Sequence, residues 1–154
     1  MLKGNTGSST NSNPKAAGAE AAKKAKEGLA AVNMAYVYAS CAYDLDAMLA
    51  GIAEEMPGVP VIGNTSFTGV ITPEGYISGE DGFVGIMAVS DPDMAVGIAA
   101  IEKDCCAVMA GEQAAKLAME RAGKETAPDY FYMVAPPGEE EFYLKGITKV
   151  IGRG

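Results

Sequence analysis

The residues of this chain best suited to chemistry cluster in three short loops, each behind an apolar run. Ser40, Cys41, Ala42, Tyr43 and Asp44 form the first, Asn64, Thr65, Ser66, Phe67 and Thr68 the second, and Pro136, Pro137, Gly138 and Glu139 the third. Hydroxyls, an amide, carboxylates and aromatic rings beside helix starts suit a small polar ligand, and free helix N–H groups favour an anionic group on it. The expected contacts are Ser40, Tyr43, Asn64, Thr65 and Ser66, with Asp44 at a helix start nearby. A catalytic apparatus is harder to assemble. The chain has no histidine, which removes Ser-His-Asp and Cys-His catalysis, His-ligated zinc and iron, and the usual proximal haem ligand. Cys41 precedes a helix start, where thiols are activated; without a base, a small buried thiol is the simpler reading. Cys105 and Cys106 read as two reduced thiols near another helix start, and three cysteines cannot make a Cys₄ zinc site in one chain.

Two further motifs read as structural. The segment Gly4-Asn5-Thr6-Gly7-Ser8-Ser9 is glycine-rich but has neither the Gly-Lys-Ser/Thr ending of a P-loop nor a Gly-x-Gly-x-x-Gly fingerprint, so a strand-to-helix turn accounts for it better than a phosphate cradle. Glu139, Glu140 and Glu141 are consecutive, so on a helix they point in different directions and complement its positive end.

The elements that must position these loops are legible in order. Residues 2–11 read as a short strand or loop, and Asn13-Pro14 starts a helix reaching about residue 28, with Ala17, Ala21, Ala22 and Ala25 on its apolar face. Residues 34–39 read as a strand. Asp44 caps the next helix, whose Leu45, Met48, Leu49, Ile52 and Met56 fall on one face before Pro57-Gly58 ends it. Residues 59–63 suit a strand buried on both faces of a parallel sheet, and Thr72-Pro73-Glu74-Gly75 suits a β-turn. Residues 82–90 and 94–101 predict two strands joined as a hairpin at Asp91-Pro92-Asp93. A helix over 105–123, a strand over 129–135 and a helix from Glu139 to about Ile151 follow, the last with Phe142, Leu144, Ile147 and Ile151 as its apolar face. The fold class is α/β, a mixed sheet built from two related helix–strand–helix units with a central β-hairpin.

The two units are a repeat. Ala17-Gly18-Ala19-Glu20-Ala21-Ala22-Lys23-Lys24-Ala25 returns as Ala110-Gly111-Glu112-Gln113-Ala114-Ala115-Lys116-Leu117-Ala118, and Leu49-Ala50-Gly51-Ile52 as Leu144-Lys145-Gly146-Ile147. The first copy continues into a strand and polar loop, residues 59–66, with no counterpart within the 154 residues. The expectation is an N-terminal piece of a larger protein, divided into residues 1–13 as a leading strand or loop and 14–154 as the domain, with an exposed sheet edge that invites self-association.

Composition narrows the partners. Twelve basic and twenty acidic residues give a net charge of −8, against nucleic acid and anionic membrane surfaces. No segment is apolar enough for a membrane span, the first residues lack a secretory h-region, and sparse cysteine fits a reducing cytoplasm.

These segments resemble the N-terminal half of the FIST sensory domain. The resemblance is carried by Ala35-Tyr36-Val37-Tyr38-Ala39-Ser40 with Tyr43-Asp44-Leu45-Asp46-Ala47-Met48-Leu49, by Val59-Pro60-Val61-Ile62-Gly63-Asn64-Thr65-Ser66, by Ile71-Thr72-Pro73-Glu74-Gly75-Tyr76, and by Gly146-Ile147-Thr148-Lys149-Val150-Ile151-Gly152. It covers roughly residues 11–154. Asn64 stands where the family usually has cysteine, and Val70 where it often has glutamate. The resemblance implies a small-ligand-sensing input domain of a bacterial signalling protein, with amino acids as suggested ligands and a C-terminal FIST half and an output domain as partners. It implies no cofactor here: some relatives are haem proteins, but only Cys, Tyr or Met would remain as an axial ligand. Two other functions stay open, a small-metabolite enzyme using Cys41 with Asp44, and a ligand-free oligomerisation scaffold.

Overall fold

A computed structural model describes residues 1–102 and 106–152, which divide into two units, Met1–Met94 and Ala95–Gly154. The helix expected from Cys105 therefore has its first residue outside the described residues.

The first unit is a mixed sheet with two helices on one face and a small hairpin on the other. Its sheet has the order β1-β6-β2-β3, from β1 (Lys3–Ser9), β2 (Met34–Ser40), β3 (Val61–Ser66) and β6 (Val84–Ser90). β6 lies antiparallel to both neighbours, Gly7 and Val37 flanking Ile86 from either side, and β2 pairs in parallel with β3. Consequently β1, β2 and β3 all run the same way. α1 (Pro14–Lys26) starts where Asn13 accepts from the Ala16 amide, with Pro14 at the first position. α2 (Leu45–Glu55) starts where Asp44 accepts from Ala47. The core is built mainly of small residues: Ala17, Ala21, Ala22 and Ala25 of α1 are fully buried, with Ala35, Val37, Ala39, Val84, Ile86 and Ala88 of the sheet, Met48 and Ile52 of α2, and Met56 just after it. The hairpin of β4 (Val70–Thr72) and β5 (Gly75–Ile77) turns at the predicted Thr72–Gly75 site. Val70 sits over Gly85 on the sheet face away from the helices.

Close packing requires glycine at the helix crossing. A Cβ on Gly18 would lie 2.2 Å from the Met48 carbonyl oxygen, and one on Gly51 would lie 2.0 Å from that of Lys15. The second unit repeats this contact. In α3 (Ala107–Ala122) and α4 (Glu140–Ile151), a Cβ on Gly111 would lie 2.3 Å from the Tyr143 oxygen and one on Gly146 1.9 Å from that of Val108. Met48 corresponds to Tyr143 and Lys15 to Val108 in the repeat, so the duplication extends to individual backbone contacts.

Several expectations are corrected. The hairpin of residues 82–90 with 94–101 does not form. β6 enters between β1 and β2 instead, where it gains hydrogen bonds along both sides, and residues 95–101 are not a strand. Residues 129–135 are likewise not a strand; Met133 and Ala135 pack on Ala107, Ala110 and Tyr143 of the helix pair. β3 lies at the edge and is at most half-buried. Leu45 and Leu49 are exposed while Met48 and Ile52 are buried, since Gly51 turns α2 onto α1. α4 buries Tyr143, Gly146 and Ile147 and leaves Phe142 and Leu144 exposed, for the same reason. No helix among the described residues is long and apolar enough to cross a membrane.

Candidate functional site

Because β1, β2 and β3 share a direction, their carboxyl ends meet at one end of the sheet, and each strand ends in a serine: Ser9, Ser40 and Ser66. Ser40 and Ser66 are partners in the parallel register, as are Tyr38 with Asn64 and Ala39 with Thr65. Alternation along strands then puts Asn64, Ser66 and Ser40 on the hairpin side and Thr65 on the helix side. The six expected contact residues thus collect at one sheet end without sharing one face.

Their polar atoms are largely engaged locally. Ser40 is buried, and its Oγ accepts from the Ala42 amide. Ser66 Oγ donates to the Gly69 carbonyl, which holds the entry to the hairpin. The Asn64 amide donates to the Thr65 carbonyl, and both residues are exposed. Asp44 is occupied as the cap of α2. Asn13 and Asp44 thus each take one N–H at their helix starts, and Asp44 adds a negative charge, so the expected attraction for an anionic group is weakened there. Cys41 is exposed rather than buried. Among the described residues no three cysteine or acidic side chains are grouped as a metal set would require.

Tyr43 is the joint of this end. It is 5 % exposed, its hydroxyl donates to the Asn11 carbonyl at 2.6 Å, and its ring lies where a Cβ on Gly82 would stand. It thereby ties the turn after β1 to the entry of β6. Burial first, then the negative charges of Glu20 and Asp81, hold its ionisation above the ordinary tyrosine range.

Beside this joint is an open cleft of about 430 Å³, lined by Ser8, Ser9, Thr10, Asn11, Glu20, Lys24 and Ile77. Glu20 accepts from Ser9 Oγ at 2.6 Å and from Asn11 Nδ2 at 2.8 Å. Those two bonds, in that order, lower its pKa below the ordinary carboxylate value, helped by Lys24. Lys24, one turn along α1, donates to the Ser8 carbonyl. Sequence reasoning missed this half of the site. The signal available was Glu20 and Lys24 four apart on an alanine-rich helix behind the Gly/Ser-rich strand.

The molecule is thus a repeat-built α/β domain with a polar cleft where like-directed strands end. Residues 33–154 match the family model of the FIST N domain, and the chain belongs to that family, whose members are sensory domains of signal transduction. No curated protein matches the chain. The matched stretch begins at residue 33 rather than near residue 11, so β1 and α1, which carry the cleft, precede it. Of the two departures from the family pattern, Val70 is used for packing over Gly85, and Asn64 remains exposed at the strand end.

Proposed function

We propose that this chain is the input domain of a bacterial, cytoplasmic sensor that takes a small amino acid or similar polar metabolite at the carboxyl ends of β1, β2 and β3. One observation supports it above the others: a carboxylate and an ammonium, Glu20 and Lys24, stand one helical turn apart in a polar cleft beside the expected loops. That pairing complements a zwitterion. Glu20 would take the ligand's ammonium and Lys24 its carboxylate. Ser40, Tyr43, Asp44, Asn64, Thr65 and Ser66 form the rest of the contact region. Occupancy would act through Tyr43, which links β1, α2 and the entry to β6, and a C-terminal FIST half and an output domain would read the change.

A thermal-shift screen of amino acids against the chain, repeated with Glu20→Gln, Asn64→Ala and Thr65→Ala, tests this. A ligand at one hundred times its Kd stabilises by about 2.7 kcal/mol, and loss of one buried polar contact weakens binding by about 1–3 kcal/mol. The expected result is a shift with a subset of amino acids that Glu20→Gln abolishes and Asn64→Ala or Thr65→Ala diminishes. No shift with any amino acid, or shifts untouched by all three substitutions in folded protein, would refute the site.

A further inference from the structure

The cleft beside Tyr43 lies along β1, an edge strand of the sheet, and takes its walls from both faces. Glu20 and Lys24 reach it from α1 on the helix side, and Ile77 reaches it from β5 on the hairpin side. The hairpin is fixed there by its own packing. Val70 rests on Gly85, where an added Cβ would lie 3.1 Å from both Val70 Cγ atoms. Gly85 is in turn the register partner of Ser8, another lining residue. Val70 and Ile77 are partners in the hairpin, so both face the sheet, while Ile71 and Tyr76 face away and are 85 % and 60 % exposed. Ser66 Oγ donates to the Gly69 carbonyl and the Tyr76 hydroxyl to the Thr68 carbonyl, which holds the loop between β3 and β4.

The two walls differ in chemistry. Among the described residues lining the cleft, Glu20 and Lys24 are the charged ones, and Ile77 is the one whose side chain has no polar atom. Polar side chains on the β1 side are already engaged: Ser9 Oγ and Asn11 Nδ2 donate to Glu20, and Asn11 Oδ1 accepts from the Asn13 amide. With a zwitterion's two charges met by Glu20 and Lys24, a third charge on the ligand's side chain finds no counter-charge among these lining residues. Asp81, whose charge acts on Tyr43, is not one of them. The surface left for the side chain is aliphatic, and a charge brought onto it would lose water without gaining a partner.

Given the amino-acid reading of the same cleft, on which this rests, we propose that Ile77 is its specificity-determining residue, selecting amino acids with a neutral, aliphatic side chain over glycine and over acidic or basic ones. The ligand's ammonium and carboxylate lie toward α1, and its side chain lies toward the hairpin against Ile77. Apolar contacts of this kind discriminate by about tenfold or more for each methylene. An open cleft belongs at the low end of that range, because part of the contact surface stays in water.

The test is isothermal titration calorimetry of the whole chain with glycine, valine, aspartate and free lysine, in the wild type and in Ile77→Ala, Ile71→Ala and Glu20→Gln. Valine is expected to bind about tenfold more tightly than the other three. Ile77→Ala should bring valine to within about threefold of glycine and leave glycine itself unchanged, since glycine has no side chain to meet that wall. Ile71→Ala, on the outward face of the hairpin, should keep the preference. No preference for valine, a preference that survives Ile77→Ala, one that Ile71→Ala removes equally, or an equal loss of glycine and valine in Ile77→Ala would overturn the role of Ile77. In each of these cases, binding that Glu20→Gln abolishes leaves the amino-acid reading standing. Binding that Glu20→Gln leaves intact, or no binding of any of the four with the wider thermal-shift screen also blank, would overturn both.

Discussion

Replacing Gly51 by alanine sets two quantities against each other with opposite signs. Alanine is the better helix former by about 0.8–1.0 kcal/mol, so propensity alone makes Gly51→Ala stabilising. The crossing of α1 and α2 says the reverse. The new Cβ would stand 2.0 Å from the Lys15 carbonyl oxygen and 3.0 Å from the Ala19 amide, and both are backbone atoms that cannot rotate away. Reaching ordinary contact at 3.4 Å requires the helices to part by about 1.4 Å, which loosens Gly18 against Met48 and the fully buried Met48 and Ile52 nearby. Overpacking of this kind costs about 1–3 kcal/mol, and a backbone clash belongs at the upper end. The net expectation is a loss of about 2 kcal/mol, or about 8–16 °C in the melting temperature of a unit the size of Met1–Met94. Urea unfolding with pulsed amide exchange reads the first unit separately, and Ala50→Gly on the exposed side of α2 calibrates the propensity contribution. Gly146→Ala, with its Cβ 1.9 Å from the Val108 oxygen, should produce the same loss in the second unit. A Gly51→Ala protein as stable as the wild type, or more so, would refute the close helix crossing.

Two further outcomes follow from the strand-end joint. Tyr43→Phe keeps the ring against Gly82 but loses the hydroxyl bond to the Asn11 carbonyl, and should cost about 0.5–1.5 kcal/mol in chemical denaturation. Because the folded state raises the Tyr43 pKa above its ordinary 10.0, that group's contribution is complete below pH 10 and is lost as the pH rises through the folded value; an ultraviolet titration should find one tyrosine ionising late, absent in Tyr43→Phe. The Glu20 carboxyl is shifted the other way, below 4.5, so its stabilisation is present above that value and disappears as the pH falls through the folded value. Stability curves of the wild type and Glu20→Gln should therefore differ near neutrality and lose that ionisation-dependent difference in acid; a gap constant across the acid range would refute the role given to Glu20.

The sequence by itself determined whatever rests on local chemistry. Asn13-Pro14 and Asp44 start helices because a side chain there satisfies free amides within three residues, and Thr72 to Gly75 turns because its bonds are equally local. The repeat, the α/β class and the family were legible for a related reason: they are properties of order and spacing. Strand order was not. β6 follows β5 in the chain but pairs with residues 45 or more positions earlier, Val37 and Gly7 among them, and hydrogen bonds between strands leave no mark on the intervening residues. Residues 95–101 and 129–135 likewise have the composition of strands yet are not strands, since apolar composition alone does not fix a ladder. The cleft, too, was decided in three dimensions. Ser9, Asn11 and Glu20 are brought together because β1 and α1 fold back on one another at Gly7, whereas Ser40, Asn64, Thr65 and Ser66 could be read as strand-end residues from the sequence. Which faces α2 and α4 bury was set by Gly51 and Gly146, whose lack of a side chain matters only once another helix backbone lies against it.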